Sequence, residues 1–296
     1  MPAFAYQKEI LMIRKLLLAL FILAFGLTAC GFRFSIPITT ITPGPMVTDQ
    51  IDVPLPTDTT KTTNLSLAFG AGTLKLHPGA STLVSGTATY NISDFKPDVT
   101  INGSTVSVEQ GNWHLTGIPN LSNIKNEWDL SLGNVPLDLS IEAGAYHADY
   151  QFGGLALTNL TVKDGASDVK MTFTSPNLTE MSLLHYETGA SNVSLTGLGN
   201  ANFASLVFHS GAGNFTLDFT GDLKRNGSVN IETGVSNTTL VIPSGIPVQL
   251  TMDGGLSNVT YDSGWSKSGN MYSQTGTGPQ LTITVQIGAG NLTITH

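Results

Sequence analysis

The sequence predicts an all-β protein whose main part is a single-stranded parallel β-solenoid with rungs of about 22 residues, placed after a signal peptide and a Thr/Pro tether. A pattern of the form apolar-x-x-Gly-small-x-x-apolar recurs, and its glycines lie 21 to 24 residues apart except for a last step of 33. These index glycines are Gly144, Gly165, Gly189, Gly211, Gly234, Gly255 and Gly288, with Gly70 as an earlier copy. Such a repeat buries its apolar face only against neighbouring repeats, as in solenoids. The composition agrees, because 32 glycines and 41% hydrophobic residues accompany only 11% charged residues.

Residues 1–29 have the organisation of a secretory signal. A basic start is followed by an apolar run from Leu16 to Phe25 and then by small residues. The run is shorter than the ~20 residues that a transmembrane helix requires. It ends in Leu27-Thr-Ala-Cys30, which resembles the lipobox of bacterial lipoproteins. That resemblance implies cleavage before Cys30 and acylation of its thiol, so that fatty chains anchor the protein in a membrane.

Three further regions are predicted after the signal. Residues 30–63 are rich in Thr and Pro and are expected to form an extended tether. Residues 64–140 are expected to form an N-terminal β domain, and residues 141–296 carry the solenoid rungs. The long final glycine step predicts a hairpin insertion near residues 261–279 that caps the open end of the coil.

Two columns of residues follow from the register of the repeats. The position five before the glycine is always apolar and is expected to be buried, as at Leu139, Leu160, Leu184, Leu206, Val229, Leu250 and Ile283. The position three after it is mostly an amide, at Asn192, Asn214, Asn237, Asn258 and Asn291, with Asp168 as the carboxylate member. Stacked asparagines are predicted to hydrogen-bond along the coil axis. A calcium-binding turn is the alternative, but it needs several carboxylates per turn.

The segments Trp128–Gly144, Gly154–Gly165 and Leu65–Leu76 resemble the bacterial toast-rack proteins. The resemblance implies an all-β, solenoid-like domain outside or at the bacterial membrane. Relatives of this kind include cell-wall-active-antibiotic-response proteins and adhesin-like proteins, so a link to envelope stress is implied. The family implies no catalytic residues.

Chemistry-bearing residues are sparse. With one cysteine and six histidines that lack ligand spacing, no metal site and no cofactor are expected. The net charge of −8 argues against a nucleic-acid partner. Polar residues two before the glycine, such as Glu142 and Glu187, are expected to line one outer face. Among the aromatics, Trp128 is predicted to be buried, whereas Trp113, Trp265 and Tyr272 form a candidate ligand or partner patch. The alternative is that the hairpin aromatics Trp265 and Tyr272 fold over the last apolar rung as part of the cap.

Two functions are compatible with these observations. The first is a non-catalytic, lipid-anchored bacterial cell-envelope protein with a structural, adhesion or partner-binding role. Its partners would be the membrane, reached through Cys30, and an envelope protein or a cell-wall glycan. It would lie on the outer face of the cytoplasmic membrane or at the cell surface. The alternative is a carbohydrate-active β-helix protein that binds or cleaves polysaccharide, which would need converging carboxylates on an outer face.

Overall fold

The computed structural model describes residues 43–111 and 123–296, and within them it shows strands and short 3-10 turns but no α-helix. The long strands are β2 (Thr63–Ala80), β7 (Leu137–Gln151), β8 (Leu157–Thr172), β9 (Met181–Thr196), β10 (Phe203–Asp218), β11 (Gly227–Val241) and β16 (Leu281–Thr295). The short strands are β1 (Val47–Val53), β3 (Val84–Tyr90), β4 (Pro97–Asn102), β5 (Thr105–Gln110), β6 (Asn126–Gly133), β12 (Val248–Met252), β13 (Leu256–Tyr261), β14 (Ser266–Ser268) and β15 (Met271–Gln274). No helix in these residues is long and apolar enough to cross a bilayer.

The long strands form one mostly parallel sheet in the order β2-β7-β8-β9-β10-β11-β16. The register is the one that the repeat predicts. Ile141 pairs with Val162, which pairs with Tyr186, and the same column continues through Phe208 to Ile231. The sequence therefore predicted correctly both the β class and which residues stack from β7 to β11.

The order of the last strands differs from the order in the chain. Ile231 pairs with Val285 of β16, not with Met252 of β12. Strand β16 lies between β11 and the pair β12 and β13, of which β12 pairs with its first half and β13 with its second half. The order of the repeats along the chain therefore does not give the order of the last strands in the sheet. Residue spacing identifies the strands, but a long connection allows the chain to skip a place in the sheet.

The N-terminal end of the sheet is built in a similar way. Strand β5 pairs with the first half of β2, and β6 pairs with its second half. Strands β1, β3 and β6 pair antiparallel, as do β4 and β5. Because β2 pairs with β7 from Thr63 to Leu76, the predicted domain boundary at residue 140 falls inside β7 and does not divide the structure.

Part of the predicted tether is a strand. Residues 47–53 pair with β3, and Ile51 and Val53 are buried. Apolar and polar residues alternate from Ile51 to Val53, which is the pattern of a half-buried strand. The Thr- and Pro-rich composition around this segment concealed that pattern. Residues 1–42, which include the predicted signal and Cys30, lie outside the described residues.

Each long strand turns a corner at its index glycine. In β10, Leu206 and Phe208 are buried before Gly211, whereas Phe215 and Leu217 are buried after it, so the inward positions change from even to odd numbers. Both halves of the strand face one hydrophobic core. We call the part before the glycine the first arm and the part after it the second arm.

Candidate binding surfaces

All index glycines except Gly255, which has a positive φ, stack directly upon one another at the corner. A Cβ built on any of Gly144, Gly165, Gly189, Gly211, Gly234 or Gly288 would lie 2.3–3.0 Å from the carbonyl oxygen of the preceding glycine of the column. These glycines do not have positive φ. The close approach of neighbouring backbones, and not an unusual conformation, is therefore what excludes a side chain here.

The inner side of the corner holds a cluster of polar groups around Asp164. Its carboxylate accepts hydrogen bonds from the Tyr186 hydroxyl at 2.7 Å, the Ser167 hydroxyl at 3.0 Å and the Tyr146 hydroxyl at 3.2 Å, and from the hydroxyl of Thr188. Four donors thus surround one carboxylate. Such an arrangement satisfies a charge that is placed beside the core.

The tyrosines of this cluster are held in the protonated form. Burial is the main cause that raises the pKa of Tyr146 and of Tyr186 far above the usual range, and the nearby Asp164 adds to it. Tyr150 donates to the Tyr146 hydroxyl at 3.1 Å, and its pKa is raised by burial as well. These hydroxyls therefore act as hydrogen-bond donors that hold the corner together.

The outer side of the first arm carries the polar strip expected from the sequence. The residues two before the glycine are paired in register, in the order Glu142, Lys163, Glu187, His209, Glu232 and Gln286. All but the half-buried His209 are exposed. His209 lies 3.7 Å from the Glu232 carboxylate, and its ring packs edge-on against that of His185, with 5.8 Å between the ring centres. The strip thus alternates in charge along part of its length.

The outer side of the second arm carries the asparagine ladder. The Asn214 amide donates to Oδ1 of Asn192 at 2.9 Å, Asn237 donates to Asn214 at 3.1 Å, and Asn291 donates to Asn237 at 2.7 Å. The predicted hydrogen bonding along the axis is therefore confirmed for these four residues. Asn258 extends the column in register with Asn291.

A cleft of about 580 Å³ opens on the second arm near the N-terminal end. Its walls include Ala71, Ile124 and Asn126, and its rim includes His147 and Asp168. The His147 ring lies 3.8 Å from the Asp168 carboxylate. The Asn126 amide group is held by the carbonyl oxygen of Ala71 at 2.8 Å and by Gln110 at 2.7 Å.

Two residues of the candidate aromatic patch, Trp265 and Tyr272, are not on the surface. Trp265 is 8% exposed and Tyr272 is 2% exposed, so both side chains pack inward and do not face solvent. Both belong to the hydrophobic core at the hairpin formed by β14 and β15. Trp113 lies outside the described residues. Trp128 is fully buried, as predicted.

Within residues 43–111 and 123–296, no group of three or more His, Asp or Glu side chains is placed to hold a metal ion. Histidines in this part of the chain instead make pairwise contacts. His77 contacts Asp129 at 2.9 Å, and the His296 ring contacts the carbonyl oxygens of Ile242 and Ser263, each at 3.1 Å.

Solved structures of low sequence identity resemble this chain. A candidate cell adhesion protein from Clostridium sporogenes is 19% identical, with a TM-score of 0.50 over 85% of this chain and 99% of that one. A candidate adhesin from Bacteroides fragilis is 11% identical, with a TM-score of 0.36 over 86% and 99% of the two chains. A candidate lipid binding protein from Parabacteroides distasonis is 9% identical, with a TM-score of 0.39 over 86% and 99%. The first of these shows a shared fold.

The sequence itself matches a family model. Comparison with curated proteins finds no match. The model described as the N-terminal domain of toast_rack, DUF2154, matches residues 42–183 and again residues 177–241. These two matches cover more than half of the chain and most of the stacked strands. The chain therefore belongs to the toast-rack family.

Proposed function

We propose that this protein is a non-catalytic, lipid-anchored protein of the bacterial cell envelope, and that its β-solenoid, with rungs of about 22 residues, presents binding surfaces for adhesion or for an envelope partner. The observation that carries the proposal is the division of polar groups between the two sides of the sheet. The carboxylate of Asp164 is occupied by four hydroxyl donors. The outer sides of both arms are left as long, regular, solvent-facing surfaces.

Several features support a binding role over a catalytic one. The tyrosines with the most strongly raised pKa lie inside the corner, where they stabilise the fold. The Clostridium sporogenes protein that shares the fold is itself described as a candidate for cell adhesion. A long stack with a continuous core also suits the presentation of an extended surface, because each strand is supported by its neighbours.

The lipid anchor rests on the sequence around Cys30. The apolar run before it is too short to span a bilayer, and Cys30 is the chain's one cysteine. Two fatty chains on this thiol would hold the protein stably at a membrane, whereas one chain binds reversibly. A place on the outer face of the cytoplasmic membrane or at the cell surface follows from this anchor. A link to envelope stress would require a partner protein that binds the solenoid and responds to it.

Replacement of the acylated residue tests the anchor. Cys30→Ala is expected to accumulate unprocessed or to leave the membrane fraction, and to lose incorporation of labelled palmitate. Ser35→Ala, five residues further along, is the matched control and should behave as the wild type. Membrane fractionation and intact-protein mass make the comparison. Unchanged acyl mass and membrane retention in Cys30→Ala would overturn the anchor.

A further inference from the structure

The outer side of the second arm carries a regular array at the C-terminal half of the stack. Each strand there presents an asparagine and, two residues later, a hydroxyl residue. The pairs are Asn192 with Ser194, Asn214 with Thr216, Asn237 with Thr239, Asn291 with Thr293, and Asn258 with Thr260. The parallel register places the asparagines in one column and the hydroxyl residues in the next. We call these ten residues the Asn–Thr array.

Four asparagines of the array are held in place before any ligand arrives. The ladder bonds join Asn192, Asn214, Asn237 and Asn291 into one chain of amides. Each ladder bond uses one of the two amide hydrogens of its donor and one lone pair of its acceptor. The interior asparagines therefore keep a donor and an acceptor for a ligand. Side chains that are already ordered lose little conformational entropy on binding.

The array carries no charged side chain, in contrast to the rest of the same face. On β7 and β8 the equivalent positions are His147, Asp149, Asp168 and Lys170. The asparagines of the array are exposed, and Val235, beside Asn237, is 63% exposed. An ionic polymer would therefore find no counter-charge on the array, and the ligand that fits it is neutral.

The dimensions favour a polymer over a second copy of this chain. Strands in a sheet lie about 4.8 Å apart, and alternate residues on one strand lie about 6.6 Å apart. Five strands with two or three outward residues each give a surface of roughly 400 Å² by these spacings. A stable protein dimer buries about 800 Å² on each partner. A repeating chain can instead make the same weak contact at each strand, so that the contacts add up.

We propose that the Asn–Thr array binds a neutral, regularly repeating polysaccharide. Sugar hydroxyls both donate and accept hydrogen bonds, and the asparagine amides and hydroxyls of the array offer both functions. The Thr260 hydroxyl is the exception, because it donates to the Thr293 hydroxyl at 3.2 Å. The exposed aliphatic side chain of Val235 contacts the C–H faces of the sugar rings. This proposal rests on the proposed binding function, since it names the ligand class and the surface that takes it.

The test measures retention of the full-length, acylated protein, in detergent micelles, on microcrystalline cellulose and on chitin, with polygalacturonate beads as the anionic comparison. The wild type is expected to be retained on at least one neutral polymer and not on polygalacturonate. The triple variant Thr216→Val, Thr239→Val, Thr293→Val keeps the branched shape that suits a strand but removes three hydroxyls. Its affinity for the neutral polymer is expected to fall by about tenfold or more.

A matched control lies on the other arm. The triple variant Thr251→Val, Thr282→Val, Thr284→Val removes three hydroxyls from the outer side of the first arm and should bind as the wild type. Absence of wild-type retention on both neutral polymers would overturn the proposal, and so would equal losses in the two triple variants. The proposal would also be overturned if the wild type were retained equally on polygalacturonate. Dimerisation through this face would overturn it as well, and so would incorporation of the protein into growing ice without retention on a polymer.

The result is separable from the anchor. Cys30→Ala protein is expected to bind the neutral polymer with wild-type affinity, because the array lies far along the chain from residue 30. Failure of acylation therefore leaves the array intact as a binding surface. Failure of retention with normal acylation overturns the array alone.

Discussion

Gly211 lies against the backbone of Gly189, and a Cβ on Gly211 would come within 2.6 Å of the Gly189 carbonyl oxygen. Since the obstructing atom belongs to the backbone of a paired strand, it cannot rotate away. Gly211→Ala must push two strands apart at the corner, and the free energy of unfolding is expected to fall by about 1–3 kcal/mol.

Urea denaturation of Gly211→Ala measures this loss. Gly44→Ala is the matched control, because its added Cβ would meet only an ordinary contact of 3.6 Å with the Asn91 carbonyl oxygen. Equal stability of the two variants would show that the corner has room for a side chain.

The polar cluster inside the corner makes a second prediction. Asp164→Asn replaces a carboxylate that accepts hydrogen bonds from Tyr146, Tyr186, Ser167 and Thr188 by an amide with a single acceptor oxygen. At least one hydroxyl then loses its partner beside the core. Hydrogen bonds to charged groups contribute about 1.5–3 kcal/mol, and a loss of this size is expected in the free energy of unfolding.

Thermal and chemical melts compare this variant with Asp168→Asn. Asp168 lies four residues further along the same strand and is exposed, so its variant should stay within about 0.5 kcal/mol of the wild type. A wild-type melt for Asp164→Asn would mean that water can replace the carboxylate.

His185 makes the stability depend on pH. Burial lowers the pKa of His185, and the neighbouring His209 lowers it further, while Glu187 opposes the shift. A lowered folded-state pKa means that the unfolded chain binds the proton more readily. Stability should therefore fall as the pH decreases below the usual histidine value of about 6.5.

The variant His185→Gln removes this titration. The decrease in melting temperature between pH 7.5 and pH 5.5 is expected to be smaller in His185→Gln than in the wild type. His296 acts in the opposite direction, since the carbonyl oxygens of Ile242 and Ser263 raise its pKa, and its contribution is lost as the pH rises. That contribution is common to both proteins and cancels in the comparison. Identical pH profiles would show that His185 stays solvated in the folded state.

The stacked strands could be predicted from the sequence because their signal is local. Each repeat carries its own glycine and its own apolar positions, and most repeats carry an asparagine, so the register follows from residue spacing alone. The place of β16 could not be predicted in this way. The sequence from Leu281 to Thr295 does not distinguish between pairing with β11 and pairing at the end of the sheet. Both positions offer the same kind of backbone edge to a new strand.

The binding surfaces were predictable only in part. The asparagine ladder follows from the repeat. The hydroxyl residue two positions after each asparagine becomes part of a candidate binding surface only when the structure shows both residues on one face. The sequence also left open whether Trp265 and Tyr272 face solvent or pack inward. Their neighbours are Gly, Ser and Asn, which indicate a turn, and a turn that folds back over the core buries its aromatics.

The hairpin of β14 and β15 forms the last two places of the strand order, next to β12. Strand β15 pairs with the edge of β12, and Trp265, just before β14, is buried with Tyr272. Tyr272 also contacts the Tyr261 ring, with 5.3 Å between the ring centres. Trp265→Ala removes the largest side chain that holds the hairpin down, and a loss of about 3–5 kcal/mol in the stability of this region is expected.

Because the hairpin lies at one end, it should open before the rest of the sheet. Limited trypsin digestion is expected to cut Trp265→Ala at Lys267 faster than the wild type, while hydrogen exchange in β9 and β10 stays slow. The bared edge of β12 can then pair with another molecule, so the variant should associate at high concentration. Met271→Ala, at a residue that is 42% exposed, should do neither. Unchanged digestion and a monomeric Trp265→Ala protein would show that the hairpin is held by its backbone pairing alone.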